Sequence, residues 1–342
     1  MNPVLYRPQV QRPGKTGNNY MITIGLSAHR AEAIPFLKNV FARSDVIILE
    51  EPPHPSFQAM LEGEILIPGY LEQTDPSFPI YSGQIYYLLQ DCYRRGKLVT
   101  QIEPYLAKLN EIHESVEKGL KPADLTHQPE TKAVYDAENM TFGALLNYYQ
   151  SVDKTFAETT QAVMDFASRD AQRIKLRDHM RAEAIISFIR TNRLQEKSIY
   201  IEAGYIHFAL RPAFLKRQEE HRHQARQVFV LAEPCRQLSY RQWGRAVDFI
   251  SPPGDLLTLH YMFREKFSDA PARLLAARSL IYVSLLTKEE LLPTDENSTP
   301  HLAEEIKLKA FVGKLDYKAC EAIFSRIKTL PTAVARKMLR LL

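Results

Sequence analysis

Two histidines and two glutamates stand at or just past the ends of four apolar segments. His29 follows YMITIGLSA, Glu50 ends DVIILE, Glu103 ends KLVTQIE, and His207 follows SIYIEAG. Imidazole and carboxylate side chains transfer protons and bind divalent metals. If the four come together in the fold, they predict a catalytic or metal-binding site, with Glu51 as a neighbouring carboxylate.

The apolar segments have the pattern of strands that are covered on both faces. They occupy residues 20–27, 45–50, 97–103 and 198–204, and a fifth follows at 227–233. Continuous apolar runs, each followed by helical periodicity, are typical of parallel strands packed between helices. The sequence therefore predicts an α/β fold with a wound, mainly parallel sheet. The carboxyl ends of such strands share one edge, where ligands bind, so the polar residues should converge there.

The rest of the chain is predicted to be largely helical. We expect a flexible N-terminal arm over residues 1–19 and an α/β domain over residues 20–250. A long helical insertion at about residues 120–193 separates the third and fourth strands, and a helical C-terminal subdomain follows over residues 251–342.

A helix of this insertion, RDAQRIKLRDHMRAEAIISFIR, adds basic side chains. Its apolar stripe includes Met180 and Ile185, and helical spacing places Arg177 and then Arg173 on the same side. About 24 Å of helix separates Arg177 from the helix end, against about 20 Å for the strand that follows. Because the two elements run antiparallel, Arg177 should reach the level of His207.

Composition and missing motifs argue against nucleic-acid binding, membrane spanning and the common nucleotide-binding and serine-hydrolase sites. The 342 residues carry 44 basic and 40 acidic side chains, a balance that does not predict nucleic-acid binding. Three cysteines without CxxC spacing, and no apolar run of membrane-spanning length, favour a cytoplasmic protein without a transmembrane segment. Glycine-rich phosphate loops and the GxSxG elbow are missing from the sequence.

The order of the strand-end motifs resembles the superfamily of erythromycin esterases, ChaN-like haem-binding proteins and the TraB/Tiki group. The motifs are GLSAH, DVIILEEP, RDHMRAEAI and IEAGYIH. The resemblance implies that His29, Glu50, Arg177 and His207 line one pocket. The first motif is one residue longer than the Gly-x-x-His of that group, and Arg181 replaces a small residue after the helix methionine. The similarity covers about residues 20–215.

Three functions remain open at this point. The first is a hydrolase of ester, amide or peptide bonds, acting on a small molecule or peptide. In it, His29, Glu50 and His207 activate water or hold a divalent metal, and Arg177 stabilises charge, supported by Glu51, Glu103 and Arg173. The second is a non-catalytic binding protein for haem or another anionic small molecule, with His29 or His207 as the ligand and Arg177 for carboxylates. The third is an interaction protein with a relict pocket, which would use its basic C-terminal helices.

Overall fold

The computed structural model describes residues 22–217, 225–264 and 267–340. The predicted arm over residues 1–19 lies outside them. The strands within these ranges are β1 Ile22–Ser27, β2 Val46–Leu49, β3 Leu98–Gln101, β4 Ile199–Gly204 and β5 Ala225–Phe229. They form one parallel sheet in the order β3-β2-β4-β1-β5. The predicted α/β fold with a wound parallel sheet is confirmed.

The fifth strand differs most from its prediction. It was expected at residues 227–233, but β5 ends at Phe229, and Val230 already lies in a turn. Val230 and Leu231 are nevertheless buried in the core. Because the apolar run continues through the turn, hydrophobicity alone could not mark the end of the strand.

Helices cover both faces of the sheet, which explains why the strands are apolar throughout. On one face the core is closed by α1 Ile34–Ala42, α2 Phe57–Glu62, α3 Ile67–Thr74, α4 Pro79–Arg94 and α10 Ala232–Trp243. On the other face the strands pack against α8 Phe156–Thr191 and α9 Leu210–Arg217. Val46 and Ile48 point to the second face, and Ile47 and Leu49 point to the first.

The predicted insertion forms most of the connection from β3 to β4. The connection contains α5 Pro104–Glu117, α6 Pro122–Leu125, α7 Pro129–Ser151 and then α8. With 36 residues, α8 is about 54 Å long. A capping box starts it, in which Thr155 Oγ1 accepts the Glu158 N–H and the Glu158 carboxylate accepts the Thr155 N–H. The second half of α8 covers the sheet, so its middle turns lie near the sheet edge.

The C-terminal part is helical, as predicted. It consists of α11 Pro253–Phe263, α12 Asp269–Leu285, α13 Pro300–Val312, α14 Tyr317–Ile327 and α15 Thr332–Met338. These helices share a second core with the first half of α8, around Phe156, Met164 and Ala167. In the described ranges, every helix is too short or too polar to cross a membrane.

Candidate functional site

The carboxyl ends of β1, β2 and β4 meet at one edge of the sheet. The register pairs Ser27 with Gly204 and Gly25 with Glu202, so the loop after β1 starts beside the end of β4. Glu50 directly follows β2, the neighbour of β4 on its other side. The parallel topology therefore brings the predicted strand-end residues to one edge.

Glu50 is the centre of a buried network of ion pairs. Its Oε1 atom accepts hydrogen bonds from Arg177 Nη2 at 2.8 Å and from His207 Nε2 at 2.7 Å. Its Oε2 atom accepts the backbone N–H of Gly204 at 2.5 Å and lies 3.6 Å from Arg181 Nη1. Both carboxylate oxygens are thus occupied, and the Glu50 side chain is only 4% exposed.

His207 lies between two carboxylates. Its Nδ1 atom is 2.5 Å from Asp178 Oδ1, and its Nε2 atom contacts Glu50. Burial lowers the pKa of a histidine, but Glu50 and Asp178 outweigh burial here and raise the pKa of His207 to about 9. Burial would likewise raise the pKa of Glu50, yet His207, Arg177 and Arg181 hold it well below its ordinary value. At neutral pH the network therefore holds an imidazolium between two carboxylates.

Glu103 extends this network to the third strand. It caps α5 by accepting the Leu106 N–H at 3.4 Å, and it accepts a hydrogen bond from Arg177 Nε at 3.1 Å. Arg181 is fully buried and donates from Nε to the carbonyl oxygen of Ile102 at 3.0 Å. Arg181 Nε also lies 3.7 Å from Glu103.

The network is balanced in charge. Its carboxylates are Glu50, Glu103 and Asp178, and its cations are Arg177, Arg181 and protonated His207. A balanced set explains how so many ionic groups stay buried, because an unpaired buried charge would be too costly.

A cavity of about 660 Å³ opens beside the network. Glu51 and Glu202 line it, together with His29 and Arg177. Glu202 accepts hydrogen bonds from the Glu50 N–H and from the Tyr81 hydroxyl, each at 3.1 Å. The lining of the cavity also includes aromatic rings, among them those of Tyr70, Tyr81 and Tyr86. The cavity therefore combines carboxylates with largely apolar walls.

Glu51 has surroundings opposite to those of Glu50, although the two are adjacent in sequence. Its donors are neutral: the Tyr86 hydroxyl at 3.1 Å and Gln101 Nε2 at 2.7 Å. Burial and the negative charge of Glu202 raise the pKa of Glu51 to about 7. Glu51 can therefore gain or lose a proton near neutral pH, which Glu50 cannot.

His29 lies at the cavity wall, as predicted. Its ring stacks on Tyr81 with the ring centres 5.4 Å apart, and its side chain is 36% exposed. The Nε2 atom lies 3.7 Å from Glu202 Oε1, beyond hydrogen-bond distance, and it has no hydrogen-bond partner. His29 Nε2 is therefore a buried ring nitrogen without a hydrogen bond, beside the Glu202 carboxylate.

Arg173 does not join the other predicted site residues. Its guanidinium pairs with Asp170 at 2.7 Å and with Glu138 of α7 at 3.1 Å. The expectation that it supports the site is therefore not met. The predicted helical spacing between Arg173 and Arg177 is correct. However, α7 packs on this turn of α8, and its Glu138 lies closer to Arg173 than the carboxylates at the sheet edge do.

The predicted metal ligands do not form a ligand set. Both ring nitrogens of His207 are engaged by carboxylates, and Glu50 has no oxygen free of hydrogen bonds. In the described part of the chain, His, Cys, Asp and Glu side chains form no group of three or more that could hold a metal ion. The arrangement of His29, Glu50 and His207 thus does not fit the predicted divalent metal.

Haem fits the site poorly for related reasons. His207 has no nitrogen left to bind iron. His29 has one, but it faces a cavity that also contains Glu51 and Glu202. Carboxylates at this position would repel the propionates of haem.

Sequence reasoning missed Asp178, Glu202 and the tyrosines of the cavity. Glu202 offered a signal, because it is a charged residue inside the apolar strand YIEAG. Asp178 stands next to Arg177 and is completely buried on the face of α8 toward His207. The aromatic side chains gave no such signal, because helix α4 has an ordinary amphipathic pattern.

The chain is similar to a known archaeal protein. The chain is 32% identical over 298 residues to an uncharacterised protein of Archaeoglobus fulgidus, covering 87% of this chain and 95% of that protein. Neither the family models nor the solved structures contain a significant match.

Proposed function

The chain belongs to the same protein family as the Archaeoglobus fulgidus protein, and we propose that its cavity hydrolyses ester, amide or peptide bonds by general acid–base catalysis. One observation carries this proposal: the adjacent carboxyl groups of Glu50 and Glu51 have opposite surroundings, charged donors around the first and neutral donors around the second. Glu50 is held ionised by three cations, whereas the pKa of Glu51 is raised to about 7. Enzymes assign acid–base roles through such contrasts. The motif resemblance to the erythromycin-esterase and Tiki group favours hydrolysis among acid–base reactions.

Glu51 is the proton-transfer group in this proposal. In its ionised form it takes a proton from a water molecule in the cavity, and the resulting hydroxide attacks the carbonyl carbon of the substrate. The protonated carboxyl group then returns the proton to the leaving oxygen or nitrogen. A pKa near 7 suits both directions of transfer at neutral pH.

Arg177 stabilises the oxyanion that forms during the attack. Among the described residues that line the cavity, it is the only arginine or lysine. Its bonds to Glu50 and Glu103 fix the guanidinium before the substrate arrives, so no reorganisation is needed in the transition state. His29 also lines the cavity and is a further polar side chain against which the substrate can be positioned.

Glu50, His207 and Asp178 act as positioning residues. Glu50 is a weak base because its two oxygens already accept hydrogen bonds, and His207 is only 3% exposed. This assignment replaces the predicted activation of water by Glu50 and His207. Their part is to hold Arg177 at the cavity.

The proposal is tested by assaying purified protein on a panel of chromogenic esters, aryl amides and peptides. We expect turnover of at least one class, and we expect Glu51→Gln to lower kcat/KM by about 10²-fold or more. In the wild type, kcat/KM should rise with pH through about 7, as Glu51 loses its proton.

The matched control is Glu72→Gln, which changes an exposed glutamate on α3. It should leave kcat/KM unchanged. The proposal fails if no class of substrate is hydrolysed faster than in buffer, or if Glu51→Gln retains full activity.

The cytoplasmic location of the protein stays a prediction.

A further inference from the structure

We infer that the substrate of this cavity carries a positively charged organic nitrogen, an ammonium or guanidinium group, which binds beside Glu202 and Glu51. The inference names the substrate class of the proposed hydrolase and so rests on that proposal. It follows from the charges, the unpartnered polar atoms and the aromatic walls of the cavity.

The first observation is an excess of negative charge on one side of the cavity. The cations Arg177, Arg181 and His207 form their ion pairs with Glu50, Glu103 and Asp178. Glu51 and Glu202 lie outside that set of ion pairs. No lysine or arginine in the described ranges forms an ion pair with either of them, and His29 Nε2, 3.7 Å from Glu202 Oε1, pairs with it only in the protonated form.

Neutral donors hold these two carboxyl groups instead. Tyr86 and Gln101 bind Glu51, and Tyr81 and a backbone N–H bind Glu202. Neutral donors orient a carboxylate but do not neutralise it. Glu202 and Glu51 repel each other when both are ionised, and Glu51 relieves this repulsion by taking up a proton near neutral pH. A cationic ligand beside Glu202 would relieve it in the same way.

The second observation is a pair of buried polar atoms without partners near Glu202. His29 Nε2 lies 3.7 Å from the Glu202 carboxylate and makes no hydrogen bond. The Tyr200 hydroxyl is also unpartnered, and Tyr200 is fully buried. Tyr200 lies against Gly25, which is the register partner of Glu202. Of these two residues His29 lines the cavity, so its ring is the unpaired polar group that a ligand beside Glu202 would meet.

The third observation distinguishes an organic cation from a metal ion. The cavity walls contain the rings of Tyr70, Phe78, Tyr81 and Tyr86. Arg30 already lies over the Phe78 ring and His29 is stacked on Tyr81, so Tyr70 and Tyr86 are the rings left for a ligand. Aromatic faces attract ammonium and guanidinium groups and also pack against the carbon atoms that such groups carry. The described residues offer no set of three metal ligands. Carboxylates between aromatic walls therefore fit an organic cation.

The inference is tested by equilibrium binding, without any turnover. The probes are benzylamine, benzyl alcohol and benzoate, which share a ring but are cationic, neutral and anionic at pH 7. We expect benzylammonium to bind about tenfold more tightly than benzyl alcohol, with benzoate weakest, which corresponds to one well-placed ion pair. This preference should weaken as salt is added.

Variants identify the residues responsible for the preference. Glu202→Gln should remove most of the preference for benzylammonium over benzyl alcohol, while the control Glu72→Gln should keep it. If Glu202→Gln does not fold, the order of affinity of the three probes for the wild-type protein still shows whether the cavity prefers a cation. Benzoate binding as tightly as benzylammonium would overturn the inference, as would failure of all three probes to bind. The inference would also be overturned if Mg²⁺ stabilised the protein against unfolding and benzylammonium did not.

The outcomes separate this inference from the proposed function. Hydrolysis without any preference for the cationic probe would leave the hydrolase and remove the cationic substrate. A clear preference without hydrolysis on the panel would remove the hydrolase and leave a cavity that binds cations.

Discussion

Replacing His207 by glutamine tests whether a buried imidazolium bridges two carboxylates. The wild-type ring contacts Glu50 at 2.7 Å and Asp178 at 2.5 Å. Glutamine can hydrogen-bond but carries no charge, so His207→Gln leaves one positive charge too few in the network. Breaking a buried pair by removing one partner is strongly destabilising.

The structure gives the size and the sign of the effect. The pKa of His207 rises from an ordinary 6.5 to about 9, which corresponds to about 3 kcal/mol of stabilisation by the protonated ring. Because the folded-state pKa is the higher one, this contribution is fully present below pH 6.5. It is lost as the pH rises through about 9.

Urea unfolding of both proteins between pH 6 and pH 10 measures this contribution. We expect His207→Gln to lower the free energy of unfolding by about 3 kcal/mol at pH 6, with a smaller difference above pH 9. The control His113→Gln changes an exposed histidine on α5 and should alter stability by less than about 0.5 kcal/mol. A difference between wild type and His207→Gln that stays constant over the whole pH range would refute the reasoning.

Two further predictions concern packing and charge around the site. A Cβ atom at Gly25 would lie 2.3 Å from the ring of the buried Tyr200, so Gly25→Ala should cost about 1–3 kcal/mol in urea unfolding. The control Gly69→Ala has no atom within 4 Å of the added carbon, and an equal loss there would contradict the packing argument. Arg181→Met should cost about 3 kcal/mol or more because it leaves buried carboxylates short of a cation. The exposed change Arg190→Met should cost little, and equal losses in the two would disprove the charge argument.

The meeting of the strand-end residues was predictable from the sequence. Strands covered on both faces are apolar, so Glu50 and His207 stood out at their ends. Helix and strand lengths then carried Arg177 to the same edge, and the structure places its Nη2 atom 2.8 Å from Glu50. Regular geometry fixes such positions, which is why they could be calculated without coordinates.

The division of roles between Glu50 and Glu51 was not predictable. Neighbouring residues have nearly the same position along the chain, but Glu50 meets Arg177 and His207, whereas Glu51 meets Tyr86. These partners come from two helices and a loop: Arg177 lies on α8, Tyr86 on α4, and His207 in the loop after β4. A pKa depends on charges within a few ångströms, and their packing cannot be obtained from periodicity.

Arg173 shows the same limit on α8 itself. The helical repeat correctly placed it one turn before Arg177, but it could not show that Glu138 of α7 lies closer than the sheet edge. The partner of a charged side chain depends on which helix packs beside it. Sequence patterns give the direction of a side chain and leave its partner open.

The most direct test of this account is the titration of Glu51 itself. Infrared difference spectra of protein with isotope-labelled glutamate follow the carbonyl band of protonated carboxyl groups against pH. Burial raises the pKa of Glu32 and Glu305 to about 7 as well. The account therefore predicts that Glu51→Gln removes one component of the carbonyl band that titrates near pH 7 and leaves the components of Glu32 and Glu305. It is contradicted if no glutamate of the wild-type protein stays protonated above pH 5, or if the band near pH 7 has the same intensity in Glu51→Gln as in the wild type.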